Sequence, residues 1–592
     1  MTAPAVVDEA HAPADDARPD APARGRLWPT VVVCVVGCVL FALAVARSAH
    51  DLNNIDGISY ISIARQYAGG HLHDAVNAYW SPLISWLAAP LLLAGVGDLT
   101  AVTVVSAVAA VLGTVVGAAF VWRVTRRHTV ATALFALVAT VFYAGSVHSL
   151  TPDVLVVSWT TCFVYALHRL DDALTAGRGV RLAAAVLGAV CAAGYVTKLF
   201  LVPVILATVG ICLVVRLLAG PDAAARRRVL AATGVALVVA LALSAPWVAA
   251  LTWKYGEPTI GSSFSVNMTA KFDPAQAGAP AVVDAPLWAP PNDRAVSFGE
   301  DRTFQVGGDR DEVDEPLASR VRYYAEQRLL AMPHYLEKIR SIAPWAVVTM
   351  LACTATLVLR RGGGSLRPPL VVLTVTFWVY FLGYAGVTTA ARAGGNARYY
   401  WPLLTLSALA ACVALPYLWT RFVGTGSRWR RVVAGAVVAV LPLTVLWQHG
   451  AGRSEPFSVA DTTAGLGYLA QEARPPALEE VADDLAGIVE PGSRIVGSNY
   501  RATLRLAFYL HGQVYGRAEQ GYDVADPSFR ARLDDAEIDY YVMFSPAGVE
   551  PPDLTALGET VWSTTSDVTC SDTLGAVVES CRLDLVDLRD DA

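Results

Sequence analysis

Residues 51–82 read DLNNIDGISYISIARQYAGGHLHDAVNAYWSP. The apolar run Leu27–Ala46 precedes this stretch, and a second apolar run, LISWLAAPLLLAGVG at 83–97, follows it. A polar segment with two carboxylates, Asp51 and Asp56, between two apolar runs reads as a loop at a membrane face. Within it, the apolar residues of ISYISIARQYA recur at helical spacing. Asp56 stands just ahead of them, where an N-cap carboxylate belongs. The loop closes on an aromatic-proline entry, Tyr79-Trp80-Ser81-Pro82, into the next apolar sequence.

Outward from this loop the chain is built for lipid. Of its 592 residues, 55% are hydrophobic and 16% are charged, against roughly 25% charged in soluble domains. A polytopic α-helical membrane protein is expected. Residues 1–26, rich in Ala, Pro and Asp, cannot build a core and read as a disordered cytoplasmic tail. Leu27–Ala46 starts too deep in the chain for a signal peptide, lacks a convincing cleavage site, and reads as a retained span. With a minimum near 17 residues per span, about eleven spans are expected. They run approximately over 27–47, 101–122, 130–147, 154–169, 182–197, 199–217, 229–251, 343–360, 369–390, 402–420 and 432–448. The run 83–97 is short and contains Pro90. It is either a re-entrant or interfacial piece or a lead into the second span.

Every second loop is basic: Arg24 and Arg26, then Arg123, Arg126 and Arg127, then Arg169, Arg178 and Arg181, then Arg226, Arg227 and Arg228. Arg360, Arg361 and Arg367, then Arg421, Arg428, Arg430 and Arg431, complete the series. Basic loops belong in the cytoplasm, which puts the N-terminus inside, the C-terminus outside, and requires an odd number of spans. The transmembrane domain is then 27–448, in a plasma membrane, with extracytoplasmic loops 48–100 and 252–342. The second of these has an acidic part, GGDRDEVDE, and ends in the amphipathic run LASRVRYYAEQRLLAMPHYLEKI. It reads either as a functional loop or as a solvated connector with one interfacial helix.

Residues 449–592 have soluble composition and read as a small extracytoplasmic α/β domain. RIVGSNY, QVYGRA, YYVMFS and AVVESCRLDLVDL read as strands, PPALEEVADDLAGIV and PSFRARLDDA as helices. The domain carries no P-loop, dinucleotide fingerprint or nucleophile elbow, so chemistry is expected in the membrane part. The nine cysteines show no metal spacing. Cys570 and Cys581 share the tail domain and form a candidate disulfide if that domain lies outside the cytoplasm.

Asp51, Asp56 and Asp153 all fall at membrane boundaries on one face. Each has a structural reading of its own. In SLTPD at 149–153, Thr151 can cap, Pro152 suits the first helical position and Asp153 complements the dipole. Together they gain weight, because ionisable residues at a membrane boundary are functional candidates. Lys198 lies at another turn on that face, and Arg392 and Arg398 at a third, in ARAGGNARYYWP. Singly these cations read as snorkelling side chains; acids facing cations suggest a site that holds a hydroxyl near a phosphate. His71, His73 and Asp74 make a weak metal pattern, better read as an exposed loop. Tyr79, Trp80 and Trp86 read as an interfacial aromatic belt. No basic face suggests nucleic acid. The alternative to an enzyme is a transporter or flippase of an anionic envelope precursor. That reading calls for internal repeats and broken mid-membrane helices, and no clear repeat is found.

At these residues the chain resembles the GT-C glycosyltransferases of the protein O-mannosyltransferase and aminoarabinose-transferase type. Asp-Gly-Ile-Ser-Tyr at 56–60 resembles that family's Asp-Glu-x-x-Tyr, and Tyr-Trp-Ser-Pro-Leu at 79–83 its aromatic-Pro-Pro-Leu. Thr-Pro-Asp at 151–153 resembles its second acidic turn, Gly-Tyr-Val-Thr-Lys at 194–198 its Thr-Lys turn, and Ala-Arg-Tyr-Tyr-Trp-Pro at 397–402 its late Arg-Tyr motif. The match covers most of 27–420. One departure stands out: Gly57 replaces the family's second acid. The resemblance implies transfer of a sugar from a polyprenyl-phosphate donor to a hydroxyl acceptor on a glycan, lipid or protein, outside the cytoplasm and with inversion. It implies Asp56 as general base and Asp153 as orienting or sharing acid. Lys198 and Arg398 would hold the donor phosphate, and Tyr60 and Tyr399 would contact substrate. No metal is required, although a divalent ion bridging Asp56 and Asp153 is compatible with that set.

Overall fold

The computed structural model describes residues 55–125, 128–144, 149–220, 222–266, 287–303, 344–359, 367–387, 397–422, 477–516, 523–568 and 580–589, with Gly37, residues 570, 571, 577 and 578, and part of 322–336. The expected span 27–47 (Gly37 apart), the span 432–448, Asp51, Arg392 and the acidic GGDRDEVDE stretch lie outside these residues.

The helices in order are α1 (Ile55–Ala68), α2 (Leu72–Ala75), α3 (Leu83–Leu93), α4 (Asp98–Val124), α5 (Thr129–Ala144), α6 (Asp153–Ala176), α7 (Val180–Thr197), α8 (Leu201–Ala219), α9 (Ala223–Tyr255), α10 (Pro344–Leu359), α11 (Arg367–Val387) and α12 (Trp401–Phe422). The expected spans between residues 101 and 420 each fall on one helix, α4 through α12. Five helices among the described residues are long and apolar enough to cross a membrane: α4, α7, α8, α9 and the Pro368–Gly386 part of α11. The outward faces of α8 and α9 expose Leu206, Leu218, Leu230, Leu237, Val238 and Leu241, a contiguous apolar surface of the kind that lipid covers. This is a multi-pass membrane protein.

The most enclosed helix is α6, where Asp153 through Thr161 are all buried. Its neighbours α4, α5, α7, α11 and α12 shield it, so it tolerates polar residues that a lipid-facing helix would not. Both of its ends carry acids paired with cations. Asp153 opens it, and Asp171 and Asp172 near its far end pair with Arg216 and Arg123. Those ends are about 27 Å apart at the helical rise. Close packing depends on small residues: a side chain at Gly188 on α7 would collide with the Ala236 carbonyl on α9, as at the tight crossings of membrane helices.

The run 83–97 resolves into α3, which stops at Ala94; Gly95, with φ 80°, turns the chain before Asp98 opens α4. With eleven residues α3 is too short to cross a bilayer. It packs flat against α1 and α4, burying Ile84 and Ala88.

The C-terminal part is α/β. It contains α13 (Ala477–Leu485), β1 (Arg494–Gly497), α14 (Tyr500–Tyr509), β2 (Gln513–Val514), α15 (Pro527–Asp535), β3 (Tyr540–Pro546), β4 (Glu559–Ser566), β5 (Cys570–Ser571), β6 (Val577–Val578) and β7 (Cys581–Asp587). The main sheet has the order β2-β1-β3-β7-β4, with β2, β1 and β3 parallel and β7 antiparallel to β3 and β4. The sequence-expected strand RIVGSNY is cut at Gly497, because Asn499 caps α14 by accepting from the Ala502 amide at 3.1 Å. Strand β4 was not expected. It lies at the sheet edge, where exposed Thr and Ser blur the apolar alternation that marks a strand.

Two connections change the expected domain plan. The core that holds α1, α3 and the start of α4 continues without a break into α13, α14 and the sheet: Ile58, Tyr60 and Ile61 belong to the same apolar cluster as Leu485, Leu504 and Phe508. Residues 287–303, expected as part of a membrane-domain loop, run along the sheet edge. Ser297 bridges Val514 in parallel, and the Val514 amide donates to the Val296 carbonyl at 2.7 Å.

Candidate active site

Four chain turns meet at one end of the bundle. Asp56 lies in the first turn of α1, and Tyr60 is one helical turn on, on the same face. Asp56 is therefore inside the described helix and not its cap. Asp153 is the first residue of α6. Thr151 does not cap that helix as the sequence suggested; Pro152 holds the cap position without a side-chain bond, and the Thr151 hydroxyl donates to Asp153 Oδ2 at 2.6 Å. Lys198 ends α7 in an extended conformation, its amide bonded to the Gly194 carbonyl. Arg398 sits in the 3-10 turn Ala397–Tyr400 ahead of α12.

These four residues form one ion cluster. Arg398 Nη2 donates to Asp56 Oδ2 at 2.7 Å, and its Nε lies 3.5 Å from Asp153 Oδ2. Lys198 Nζ donates to Asp153 Oδ1 at 2.8 Å. Two carboxylates and two cations balance. Burial works against the charge on Arg398, but Asp153 and Asp56 outweigh it and hold the guanidinium above its ordinary pKa. The side chain of Asp153 is 5% exposed and that of Asp56 29%. Asp153 is thus enclosed by its partners, while Asp56 retains an open side.

Aromatic residues line the cluster. Tyr399 lies under both cations, with Lys198 Nζ 5.2 Å and the Arg398 guanidinium 5.5 Å from its ring centre. Tyr60 is buried. Burial, reinforced by the charges of Asp153 and Asp56, pushes its hydroxyl well above the ordinary tyrosine range, so it remains a proton-bearing donor. All six residues singled out in the sequence, Asp56, Tyr60, Asp153, Lys198, Arg398 and Tyr399, come to this one place.

Gly57 has a steric explanation. A Cβ there would lie 2.8 Å from Leu150 Cβ and 3.2 Å from the Leu150 carbonyl oxygen. Leu150 holds φ 53°, in the turn that leads to Thr151 and Asp153. The missing second acid is what lets α1 approach that turn and bring Asp56 to the cluster.

Of the aromatic belt expected of Tyr79, Trp80 and Trp86, Trp86 stays exposed while Tyr79 and Trp80 turn inward. Trp80 packs edge-on against Tyr60 at 5.0 Å and against Tyr79 at 4.6 Å, and its Nε1 donates to the Gly299 carbonyl at 3.0 Å. Trp86 packs edge-on against Trp247 at 5.2 Å. Tyr79 and Trp80 thus stand beside the cluster through Tyr60, and Trp86 does not. His73 packs against Trp253, and Asp74 pairs with Arg294. Among the described residues no three His, Cys, Asp or Glu side chains converge as metal ligands. Both cluster acids face Arg398.

Sequence reading missed a second polar group beside the first. Asn77, Lys254, Tyr255, Glu300 and Asp301 join the 76–80 turn, α9 and the 298–301 turn. Tyr255 donates to Asp301 Oδ2 at 2.5 Å, and Lys254 Nζ lies 3.6 Å from the same oxygen. Asn77 Nδ2 donates to the Glu300 carbonyl at 2.5 Å. These residues come from three separate parts of the chain, with 223 positions between Asn77 and Glu300 and 46 between Tyr255 and Asp301. No local spacing could announce them.

No protein-family model matches the chain, and no curated protein sequence resembles it significantly. Solved structures do. ArnT from Cupriavidus metallidurans in the apo state superposes with a TM-score of 0.51 at 16% identity, covering 94% of this chain and 97% of its own. The same protein bound to undecaprenyl phosphate gives 0.51 at 16% identity over 96% and 99%. This chain has the GT-C fold. The archaeal oligosaccharyltransferase AglB from Archaeoglobus fulgidus, solved with an inhibitory peptide and a dolichol-phosphate, gives 0.50 at 12% identity, over 87% of this chain and 69% of its own. A second structure of the Archaeoglobus enzyme holds Zn and sulfate. The GT-C likeness extends through the α/β part, since the coverage of ArnT is nearly complete at both ends.

Proposed function

We propose that the protein is a glycosyltransferase that moves a sugar from a polyprenyl-phosphate donor to a hydroxyl acceptor on the outer face of the plasma membrane, with inversion. The observation that carries this reading is the four-membered cluster itself. The exposed carboxylate of Asp56, the enclosed carboxylate of Asp153, Lys198 and Arg398 stand together at one end of a GT-C bundle. Solved GT-C neighbours hold undecaprenyl phosphate and dolichol-phosphate, which supports a lipid-linked donor here.

The chemistry follows from the two kinds of carboxylate. In the donor, the sugar C1 is bonded to a phosphodiester oxygen of the lipid. Asp56 takes the proton of the acceptor hydroxyl. The acceptor oxygen bonds to C1 as the C1–O(phosphate) bond breaks, and the polyprenyl phosphate leaves with one more negative charge than it had. Lys198 and Arg398 stabilise that growing charge, and no proton donor is needed for the leaving group. Tyr60 and Tyr399 contact substrate from either side of the cluster. Asp153 keeps the two cations in place and does not need to turn over. Arrival of the donor phosphate draws Arg398 away from Asp56, so the base is uncovered when the leaving group is seated.

Orientation has separate support. The Arg123 and Arg216 end of α6 is opposite the cluster, consistent with a cytoplasmic basic side. Cys581 is disulfide-bonded, as suits an oxidising compartment; pairing with Cys570 is the proposed partner choice. The full count of eleven spans, with the N-terminus inside and the α/β domain outside, belongs to the same proposal.

The test is transfer of radiolabel from a panel of polyprenyl-phosphate sugars to an envelope extract by purified protein in lipid. Asp56→Asn is expected to reduce transfer by on the order of 100-fold or more. Transfer that survives the substitution removes Asp56 as base, and no transfer from any donor removes the reading.

A further inference from the structure

The second polar group holds a carboxyl that the transfer chemistry does not use. Glu300 is 2% exposed. Its Oε1 accepts from the Val296 amide at 2.5 Å and its Oε2 from Gln66 Nε2 at 3.1 Å. Among the described residues no cation forms an ion pair with it. Around it, the backbone of the 3-10 turn Phe298–Glu300 is bonded on two sides. Glu300 O accepts from Asn77, and Gly299 O accepts from the Trp80 indole. Asn77 in turn uses Oδ1 to hold the amides of Tyr79 and Trp80, at 2.9 and 2.8 Å. Trp80 meets Tyr60, which is one turn from Asp56.

We propose that Glu300 is a positioning residue for the transfer reaction: it ties the 298–300 turn to α1 through Gln66, and through Asn77 and Trp80 it fixes Tyr60 beside the Asp56–Asp153 cluster. The proposal rests on the glycosyltransferase reading. It adds a residue that touches neither substrate nor reacting atoms and acts through others.

The geometry gives the carboxyl a definite protonation state. Burial pushes it up to about 8, against the opposing pull of the Val296 amide bond and the charge of Arg65. Ser62, Arg65 and Gln66 face it from α1. From α9, Lys254 is committed to Asp301 and to the carbonyls of Asp74 and Val76, and Tyr255 to Asp301. Among the described residues of the C-terminal domain, the Tyr500 hydroxyl approaches this turn, 3.5 Å from Ser297 Oγ. The acid is therefore neutral at pH 7 and gains a charge in a dry place as the pH rises through about 8. A new charge between Gln66 and the 298–300 turn loosens the tie.

Two measurements test this. The first is hydrogen exchange of the Tyr79 and Trp80 amides in the full-length protein in lipid nanodiscs, corrected for intrinsic rates. Exchange is expected to rise at least tenfold in Glu300→Ala, and in the native protein above pH 8. Glu300→Gln, which keeps the neutral shape, is expected to restore protection at both pH values. The second is the pH profile of radiolabel transfer with whichever donor shows Asp56-dependent activity. The native kcat is expected to fall above pH 8, Glu300→Ala to lose at least tenfold in kcat with donor KM within about twofold, and Glu300→Gln to recover kcat and lack the alkaline fall. Native protection of Tyr79 and Trp80 in Glu300→Ala overturns the proposal, as does an unchanged alkaline fall in Glu300→Gln. If Glu300→Ala does not fold, Gln66→Ala breaks the same tie from its α1 side, and native protection of Tyr79 and Trp80 in that variant overturns the proposal. A preparation with no Asp56-dependent transfer defeats the functional reading alone, because the exchange measurement still decides the tie.

Discussion

Asp153 and Glu300 are both buried carboxyls, and the chain treats them in opposite ways. Asp153 has Lys198, Arg398 and the Thr151 hydroxyl on its two oxygens. Glu300 has an amide N–H and a glutamine. A buried charge needs an opposite charge and further hydrogen bonds to offset its desolvation. Where these are supplied, a charge cluster results and is available for chemistry. Where only neutral donors are supplied, the acid keeps its proton and serves as a neutral bridge. Proximity to a site does not by itself make a carboxyl a reactant; its partners decide.

The comparison is broken most severely at Asp153. Asp153→Ala leaves Lys198 and Arg398 facing one carboxylate, and removing one member of a buried pair costs about 3–5 kcal/mol. Loss of transfer by on the order of 1,000-fold, with a lower thermal midpoint in detergent, is expected; a midpoint equal to the native one contradicts the ion-cluster account. Next comes Arg398→Lys, which keeps charge but loses the fork that reaches Asp56 and Asp153 together. Transfer is expected to fall roughly 100-fold, with weaker binding of undecaprenyl phosphate measured in nanodiscs. Third is Gly57→Ala, whose new methyl group meets Leu150. It should displace α1 from the Leu150 turn and lower kcat about tenfold, since small misplacements at a reacting centre carry large rate penalties.

The last prediction sharpens the other side. The folded-state pKa of Glu300 is raised from 4.5 to about 8. Below pH 4.5 both folded and unfolded chains hold the proton and the contribution to stability is complete. Between 4.5 and about 8 the unfolded chain gives the proton up while the folded chain keeps it, so stability from this group declines through that window and levels off above it. Glu300→Gln removes the slope. Its thermal midpoint should exceed the native one by an amount that grows from pH 5 to pH 8 and then stays constant; a difference independent of pH argues that Glu300 is ionised in the folded protein.

The ion cluster was legible in the sequence because each member sits in a short motif at the end of an apolar run. Alternating basic loops and span boundaries assign those ends to one side without any knowledge of packing. The span positions of α4 to α12 follow from the same apolar runs. The Glu300 group was not legible for a physical reason. Its members come from an α1 glutamine, a loop asparagine, a lysine at the end of α9 and an acid in GEDR, which reads as ordinary solvated polar sequence. Only the tertiary packing of the 298–301 turn against α1 and the Asn77 turn makes Glu300 dry. Trp80 was misread in the same way: its aromatic character was plain, but whether it meets lipid or Tyr60 depends on a partner 219 residues away at Gly299. The role of Gly57 was equally hidden, since sequence shows a lost acid and only the Leu150 contact shows the space that the loss creates.

The shared core of α1 with the C-terminal sheet has a consequence for how the protein is made. Arg65 on α1 lies 4.3 Å from the ring centre of Phe508 on α14, and Ile58 and Ile61 share their apolar cluster with Leu504, Leu583 and Leu585. The helix that carries Asp56 emerges early in synthesis, yet the surface that fixes it is encoded more than 400 residues later, as the separation of 443 between those two contacting residues (508 minus 65) states. A growing chain therefore carries Asp56 long before it carries the wall against which that residue is aligned. Completion of translation, delivery of the final domain and assembly of the site become a single event, and a truncated chain left in the membrane holds the motif without the geometry.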